Sequence, residues 1–294
     1  MRNNIDIPVK EQMVTLIPGV TFAQVPYWFP FYNYKDLKMD ILGSFGGPAK
    51  EKKPLFIWIC GGGFVTMERS AYIPWLTYFA ERGYVAASIE YRLSNSAHFP
   101  AQIEDVKKAI RFLRAHADEY GIDPDRVAIG GESAGGNLAT MVGVTNGIRE
   151  FDVGEYPEQS SQVSAVINYY GPAVLKQKHG TQSMNGVPLP ETTGYSRTIQ
   201  LLGFDPEKEP DRAARTAAQY YINKNTIPFF LAHGTGDTLV DISGSDEFYD
   251  ILTQNNVPVE YYRIKNAAHM GMEFYQDEMS QRILAFLNKT LIVK

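Results

Sequence analysis

The chain has 294 residues, with 28 Lys and Arg against 33 Asp and Glu, so its formal net charge is −5. Hydrophobic residues make up 44% and charged residues 21%, the balance of a folded globular protein rather than of a disordered or fibrous one. The sequence contains no stripe of Lys and Arg that would bind nucleic acid or an anionic membrane. Cys60 is its single cysteine, which excludes an internal disulfide and a Cys/His zinc site.

The N-terminal region does not have the pattern of a secretory signal, because Asp6, Lys10 and Glu11 interrupt any apolar core. The longest apolar run, residues 55–60, is far shorter than the roughly 20 residues of a membrane span. We therefore expect a soluble, cytoplasmic protein that binds neither membranes nor nucleic acid. A protein that has lost a signal peptide would have the same pattern, and a homodimer remains open.

The predicted elements begin with two antiparallel strands, residues 21–27 and 37–42. After residue 50, short apolar strand patterns alternate with helical patterns. The strands are predicted at residues 55–60, 84–89, 127–129, 163–170, 229–232 and 259–264. Apolar residues at helical spacing mark residues 103–113, 248–252 and 275–287. This alternation predicts an α/β fold, with a mostly parallel sheet and helices on both faces.

Two connections between these elements are long. Residues 146–162 are polar and acidic, which predicts a solvated surface loop. Residues 171–228 greatly exceed the roughly 12 residues that a crossover between parallel strands requires. Long insertions in compact domains are often lids or binding loops, so we predict that 171–228 covers a substrate site. The alternative is an excursion away from that site. Short helices are expected within it at residues 195–202 and 211–221.

The strongest motif is Gly-Gly-Glu-Ser-Ala-Gly-Gly at residues 130–136, directly after one predicted strand and directly before a helical run. It contains G-x-S-x-G with Ser133 at its centre. A sharp strand-to-helix turn of this kind exposes one side chain, beside helix N–H groups that stabilise a developing anion. The motif therefore predicts Ser133 as a nucleophile. A phosphate-binding loop is excluded because Gly136 stands where that loop needs its lysine.

A serine nucleophile needs a base, and the base needs an orienting carboxylate. In proteins with this turn, the acid and then the histidine follow the serine along the chain. His269, in a small-residue loop after the last predicted strand, is the expected base, and His179 and His233 are weaker candidates. Asp237, in the loop after the next-to-last strand, is the expected acid. Asp241 is the alternative, although its place before a helix favours a capping role.

Acyl transfer also needs hydrogen-bond donors aimed at the oxygen that becomes negative. Cys-Gly-Gly-Gly-Phe at residues 60–64 ends a strand with three glycines, which let backbone N–H groups approach a substrate closely. The expected oxyanion-hole donors are Gly62, Gly63 and the N–H of Ala134. A dinucleotide site is disfavoured because G-x-G-x-x-G spacing is absent from this glycine cluster.

Together these motifs resemble the α/β-hydrolase superfamily, and more narrowly its hormone-sensitive-lipase-like and acetyl-esterase or feruloyl-esterase-like branch. The resemblance runs from about Pro54 to the last helix. Its landmarks are residues 60–64, 90–93, 99–101, 104–106, 121–124, 131–135, 233–237 and 268–269. It implies an eight-stranded sheet in a single domain, residues 1–294, and hydrolysis of small carboxylic esters through an acyl-enzyme without a cofactor or metal. Arg92 and Asp105 match scaffold positions of the family.

Two departures from the family pattern qualify the resemblance. Cys60 stands where relatives usually place a histidine that holds the oxyanion loop, and a thiol is a weaker hydrogen-bond partner, so we expect an altered loop. The short N-terminal region leaves no room for a helical cap, which favours the compact acetyl-esterase branch. We therefore expect a serine carboxylesterase for short acyl, mainly acetyl, esters, including acetylated sugars. An arylformamidase, a peptidase and a non-catalytic receptor are the alternatives, and His269 argues against the receptor.

Overall fold

An eight-stranded sheet runs through the protein in the order β1-β2-β4-β3-β5-β6-β9-β10. The computed structural model describes residues 2–8, 13–27, 33–44, 51–175, 183–184, 187–188 and 197–291. The sheet strands are β1 (Thr15–Pro26), β2 (Tyr34–Gly43), β3 (Lys53–Ile59), β4 (Val85–Ile89), β5 (Ile122–Glu132), β6 (Ala165–Tyr169), β9 (Phe229–Gly234) and β10 (Val259–Ile264). A separate short pair joins β7 (Ser183–Met184) to β8 (Val187–Pro188). Strand β2 is antiparallel to both neighbours and the other sheet pairings are parallel, which confirms the predicted fold class.

Helices cover both faces of the sheet. One face carries α1 (Ile73–Ala80) and α7 (Asp277–Leu291), and the other carries α2 (Ala101–Ala115), α3 (Ala134–Val144) and α6 (Ser243–Gln254). Successive side chains of a strand point to opposite faces, so Leu55, Ile57 and Ile59 of β3 pack on the α2–α3 side while Phe56 and Trp58 pack on the α1–α7 side. None of the described helices is long and apolar enough to span a bilayer.

Two strands, β1 and β5, begin five or six residues earlier than the sequence pattern predicts. Strand β1 starts at Thr15, and its first half alternates between exposed and half-buried side chains at the edge of the sheet. Strand β5 starts at Ile122, and residues 123–126 that follow are exposed or half-buried. Both segments lack an apolar run because little of their surface packs against a helix. Hydrophobic patterning therefore detects only the buried part of each strand.

The loop at residues 146–162 is mostly exposed, as predicted, and Asp152 also anchors it to the body of the protein. Asp152 lies 3.6 Å from Nζ of Lys107 and 3.5 Å from a guanidinium nitrogen of Arg111, and both cationic side chains on α2 are fully buried. The Lys107 ammonium also donates to the carbonyl oxygen of Thr145 at 3.0 Å. Buried charges need partners, so the acidic loop supplies the counter-ion for α2.

The insertion at residues 171–228 contains two short helices, α4 (Arg197–Leu202) and α5 (Pro210–Ala214), and a 3₁₀ turn at Ala218–Tyr221. They correspond to the two predicted helical regions. Residues 176–182, 185–186 and 189–196 of the predicted lid lie outside the described residues. Its movement over a site stays a prediction, as does the single-domain organisation of residues 1–294.

The buried carboxylate of Asp105 joins the segment after β4 to α2. Its oxygens accept hydrogen bonds from Nε and a terminal nitrogen of Arg92 at 2.7 and 2.9 Å, and from the Arg92 backbone N–H at 2.9 Å. Because Asp105→Ala would leave Arg92 without this partner, we expect the free energy of unfolding to fall by about 3–5 kcal/mol, measured by urea denaturation. Asp118→Ala removes an exposed partner of Lys52 and should change stability little. Equal losses in the two variants would contradict the scaffold role of Asp105.

Candidate active site

Ser133 occupies the turn between β5 and α3. Its backbone has φ +53° and ψ −119°, a strained conformation for a residue with a side chain, and its N–H donates to the carbonyl oxygen of Tyr169 at 2.9 Å. A Cβ atom on Gly131 would overlap the backbone of Gly135, and one on Gly135 would overlap the carbonyl oxygen of Ile59. The flanking glycines therefore let the chain cross the end of β3 and hold the half-exposed Ser133 side chain at the turn.

Three loops meet at the carboxyl end of the parallel strands, where such sheets usually place their sites. Ser133 follows β5, and Asp237 and His269 follow β9 and β10. Nε2 of His269 lies 3.0 Å from Oγ of Ser133, and Nδ1 lies 2.7 Å from Oδ2 of Asp237. The Asp237 and His269 side chains are 1% and 2% exposed. Asp241 is instead exposed before α6, where its carboxylate accepts the N–H of Ser243 at 2.9 Å.

The carboxylate of Asp237 is held from both sides. Oδ1 accepts the backbone N–H groups of Leu239 and Val240, each at 2.9 Å, and Oδ2 faces the rings of His269 and His233. Burial raises the pKa of this carboxyl, but the hydrogen bonds with His233 and His269 outweigh it and leave the pKa well below its usual range. Asp237 is therefore ionised at neutral pH and fixed in its orientation toward His269.

His233, a weaker candidate for the base in the sequence, is instead a second support for Asp237. Its fully buried ring has Nε2 at 3.0 Å from the carbonyl oxygen of Val240 and 3.2 Å from Oδ2 of Asp237, and Nδ1 at 2.7 Å from Oγ of Ser245. Both neighbours of Nε2 are acceptors, so Nε2 carries the proton and Nδ1 accepts from the serine hydroxyl. The signal in the sequence was the four-residue spacing from His233 to Asp237.

The glycine loop after β3 presents backbone donors next to the turn at Ser133. Gly62 and Gly63 have φ values of +121° and +61°, conformations that favour glycine. Strand β3 pairs directly with β5, which brings this loop beside the start of α3. Within the described part of the chain, the N–H groups of Gly62, Gly63 and Ala134 donate no hydrogen bond. These three groups are thus available to bind an anion.

Glu132 ties the turn to the glycine loop and is another residue that motif reasoning missed. Its side chain is buried, and Oε1 accepts the N–H of Gly61 at 2.5 Å. A Cβ atom on Gly61 would lie 2.7 Å from the backbone carbonyl oxygen of Glu132, so glycine is required there. Burial raises the pKa of Glu132, and the Gly61 hydrogen bond offsets part of that rise. The sequence did contain a signal for this role, because Glu132 is the one charged residue in a motif of otherwise small residues.

Cys60 lies beneath this loop and is buried. Its Sγ atom is 3.9 Å from the carbonyl oxygen of Arg69 and 3.7 Å from Oγ of Ser88. Burial raises the pKa of the thiol to about 12, so it stays protonated at neutral pH. A protonated, buried thiol is not a nucleophile. Position 60 does not carry the histidine that usually holds this loop in relatives. Here the hydrogen bond from the Gly61 N–H to Glu132 holds the loop.

Aromatic side chains form a wall behind the His269 imidazole. Tyr170 follows β6, and its ring centroid lies 4.7 Å from that of His269 in an edge-to-face arrangement. The Tyr170 hydroxyl is 2.9 Å from that of Tyr275, and the ring of Phe274 packs 4.5 Å from the Tyr170 ring. This packing restricts the imidazole to the position between Ser133 and Asp237.

A cavity of about 280 Å³ begins at the glycine loop and extends to α6. Its walls are mainly apolar, and they include Gly63, Phe64, Leu175, Val240, Phe248 and Ile251. Arg197, the first residue of α4, also lines it. Among the described residues, no group of His, Cys, Asp or Glu side chains is arranged to hold a metal ion.

The eight-stranded sheet, with the serine turn after β5 and the aspartate and histidine loops after β9 and β10, defines an α/β-hydrolase. The chain belongs to the BD-FAE family, whose profile matches residues 40–252. The resemblance to the esterase branch of the α/β-hydrolases, drawn from the sequence, is thereby confirmed.

Known relatives agree with this family. "Probable carboxylic ester hydrolase LipM" of Mycobacterium tuberculosis is 31% identical over 74% of this chain and 49% of its own length. The chain spans about half the length of the curated relatives it matches. A truncated carbohydrate esterase from gut microbiota superposes with a TM-score of 0.78 at 24% identity, covering 97% of this chain and 99% of that one, which shows the common fold. A bifunctional GH43-CE protein of Bacteroides eggerthii has a TM-score of 0.74 at 29% identity, over 86% of this chain and 33% of that one.

Proposed function

We propose that the protein is a serine carboxylesterase that hydrolyses esters through an acyl-enzyme. The observation that carries this proposal is the continuous row of contacts from Ser133 through His269 to Asp237, at 3.0 and 2.7 Å. A nucleophile, a base and an orienting carboxylate in this arrangement suit acyl transfer. The names of LipM and of the gut carbohydrate esterase, both ester hydrolases, support the same class of reaction.

In the proposed acylation step, Oγ of Ser133 attacks the ester carbonyl carbon while Nε2 of His269 takes its proton. Asp237 holds the Nδ1–H tautomer and stabilises the imidazolium that forms. The ester C–O bond then breaks, and His269 gives the proton to the leaving alcohol. Water attacks the acyl-enzyme by the same route in reverse, which releases the acid and returns the proton to Ser133.

The tetrahedral intermediate places a negative charge on the former carbonyl oxygen. The N–H groups of Gly62, Gly63 and Ala134, which donate no hydrogen bond among the described residues, are the donors that we assign to this oxyanion. Ala134 is also the first residue of α3, so the helix dipole adds to the stabilisation. Removal of one such donor typically costs about 10²–10³-fold in kcat.

For the substrate, we propose short acyl esters, mainly acetyl esters and among them acetylated sugars. Rates with acetyl, butyryl and feruloyl esters and with an N-formyl anilide would test this choice. We expect the acetyl ester to be hydrolysed fastest. Turnover of the N-formyl compound alone would favour an arylformamidase. If no compound is hydrolysed and a serine-directed fluorophosphonate does not label the folded protein, the receptor alternative is favoured.

Glu132 is expected to support catalysis by positioning the oxyanion loop through Gly61. Glu132→Ala removes the acceptor of the Gly61 N–H, so we expect kcat to fall by about 10²-fold with a smaller change in KM. Glu132→Gln keeps an acceptor oxygen and should recover most of the loss. Steady-state kinetics on an acetyl ester, with thermal unfolding as a check on folding, measure both variants. A Gln variant as impaired as the Ala variant would contradict positioning through this hydrogen bond.

A further inference from the structure

Arg197 packs on the glycine loop that carries the proposed oxyanion donors. A Cβ atom on Gly63 would lie 2.6 Å from a terminal guanidinium nitrogen of Arg197 and 3.2 Å from its Cδ. The guanidinium therefore rests against the Cα of Gly63, in the space that a Cβ atom at this position would enter. This contact places a positive charge beside one of the N–H groups that we assign to the oxyanion hole.

The guanidinium of Arg197 has no anionic partner within the described part of the chain. Arg69 and Arg92, by contrast, bind carboxylates in the same protein. Arg197 forms no ion pair and its side chain donates no hydrogen bond there, although it is half-buried. A partly dehydrated cation is stabilised by an anion, and a planar guanidinium matches a carboxylate with two parallel hydrogen bonds.

The charged residues that line the cavity starting at Gly63 are distributed unevenly between its two walls. Arg197 belongs to the wall next to the glycine loop, whereas Asp241 and Glu247 belong to the α6 wall and are exposed. Neither carboxylate pairs with Arg197. An anionic ligand group is repelled by the α6 wall and attracted to the Arg197 wall, so the charges direct it toward the glycine loop.

We propose that Arg197 binds a free carboxylate of the substrate, so that the ester hydrolysed at Ser133 carries this second, anionic group a few atoms from the scissile carbonyl. The proposal rests on the proposed esterase function and names a substrate class for it. The carboxylate can belong to the acyl part, as in a half-ester of a dicarboxylic acid, or to the alcohol part, as in an acylated hydroxy acid. A neutral ester leaves the guanidinium without its partner.

Two matched pairs of esters test the proposal by pH-stat measurement of kcat/KM. On the acyl side, monoethyl glutarate is compared with ethyl 5-methylhexanoate, in which an isopropyl group replaces the carboxylate. On the alcohol side, 3-acetoxypropanoate is compared with isopentyl acetate. We expect the protein to prefer the charged ester in at least one pair by about 10- to 100-fold, the effect of one charge-assisted hydrogen-bonded pair. The preferred pair identifies the part of the substrate that carries the carboxylate.

The variants Arg197→Met and Arg197→Lys separate charge recognition from a structural role. The ratio of charged to neutral rates should fall at least tenfold in Arg197→Met and less in Arg197→Lys, which keeps the charge but not the planar fork. Arg215→Met is the matched control, because Arg215 pairs with Glu150 on the surface and does not line the cavity. It should keep the ratio. A protein without preference in either pair, or an Arg197→Met variant that keeps the preference, would overturn the proposal.

Binding measurements distinguish failure of this inference from failure of the esterase proposal. In the Ser133→Ala background, calorimetric titration with monoethyl glutarate and with 3-acetoxypropanoate reports the carboxylate site without turnover. We expect at least one of them to bind, with affinity lost on the further change Arg197→Met. Binding that depends on Arg197 in a protein that hydrolyses no ester would refute the esterase alone. Hydrolysis of neutral esters without such binding would refute the Arg197 site alone.

Discussion

Ser133→Ala is expected to lower kcat for an acetyl ester by about 10⁶-fold, the loss typical of removing a serine nucleophile. The thiol of Cys60 does not replace Ser133 as a nucleophile, because it is buried and protonated. Alanine and serine both carry a Cβ atom, so the strain of the positive φ at this position is the same in both proteins. The loss should therefore reflect chemistry rather than unfolding, and circular dichroism checks this point.

The matched control for this variant is Ser70→Ala, which changes an exposed serine bonded to Glu68. It should keep both the rate and labelling by a serine-directed fluorophosphonate. Labelling of the unaltered protein should disappear in Ser133→Ala. Full activity in Ser133→Ala, or labelling that persists there, would remove Ser133 from the proposed mechanism.

Asp237→Asn is expected to lower kcat by about 10⁴-fold. The N–H groups of Leu239 and Val240 point at Oδ1, so the amide oxygen of asparagine must take that position. The amide nitrogen then faces Nδ1 of His269, which must accept a hydrogen bond instead of donating one. The proton moves to Nε2 of His269, and the ring can no longer take a proton from Ser133.

This loss should appear in kcat on an acetyl ester across neutral pH. The same amide nitrogen faces the protonated Nε2 of His233, so thermal unfolding must be measured in parallel to show that the protein remains folded. Asp250→Asn, an exposed change on α6, is the control and should keep wild-type kinetics. If Asp241→Asn lowered kcat more than Asp237→Asn, Asp241 rather than Asp237 would be the acid of the proposed mechanism.

Strands buried on both faces were predicted closely from the sequence. Strands β3 and β9, which are buried almost throughout, differ from their predicted bounds by two residues or fewer at each end. Continuous apolar runs mark such strands because both faces pack against helices. The exposed half of β1 carries no such signal, since the hydrogen bonds that make it a strand involve only the backbone.

Long-range ion pairing was invisible in the sequence. Residues 146–162 are polar along their whole length, which gave no reason to assign Asp152 to buried partners. Lys107 and Arg111 lie on a helix that the apolar pattern did identify, yet their burial depends on how α2 packs against the sheet. The charges in a sequence segment indicate whether it is polar. They do not indicate which residues they pair with, because pairing depends on how distant elements pack.

The sequence by itself determined the serine turn, the glycine loop and the order of Ser133, Asp237 and His269, because strand and turn signals are local and chain order follows from them. Only the tertiary structure decided the distances that join these three side chains, the support of Asp237 by His233 and the place of Arg197 on Gly63. These contacts connect residues up to 136 positions apart. Their proximity comes from the order of strands in the sheet and from the packing of α4 on the glycine loop, and spacing along the chain contains neither.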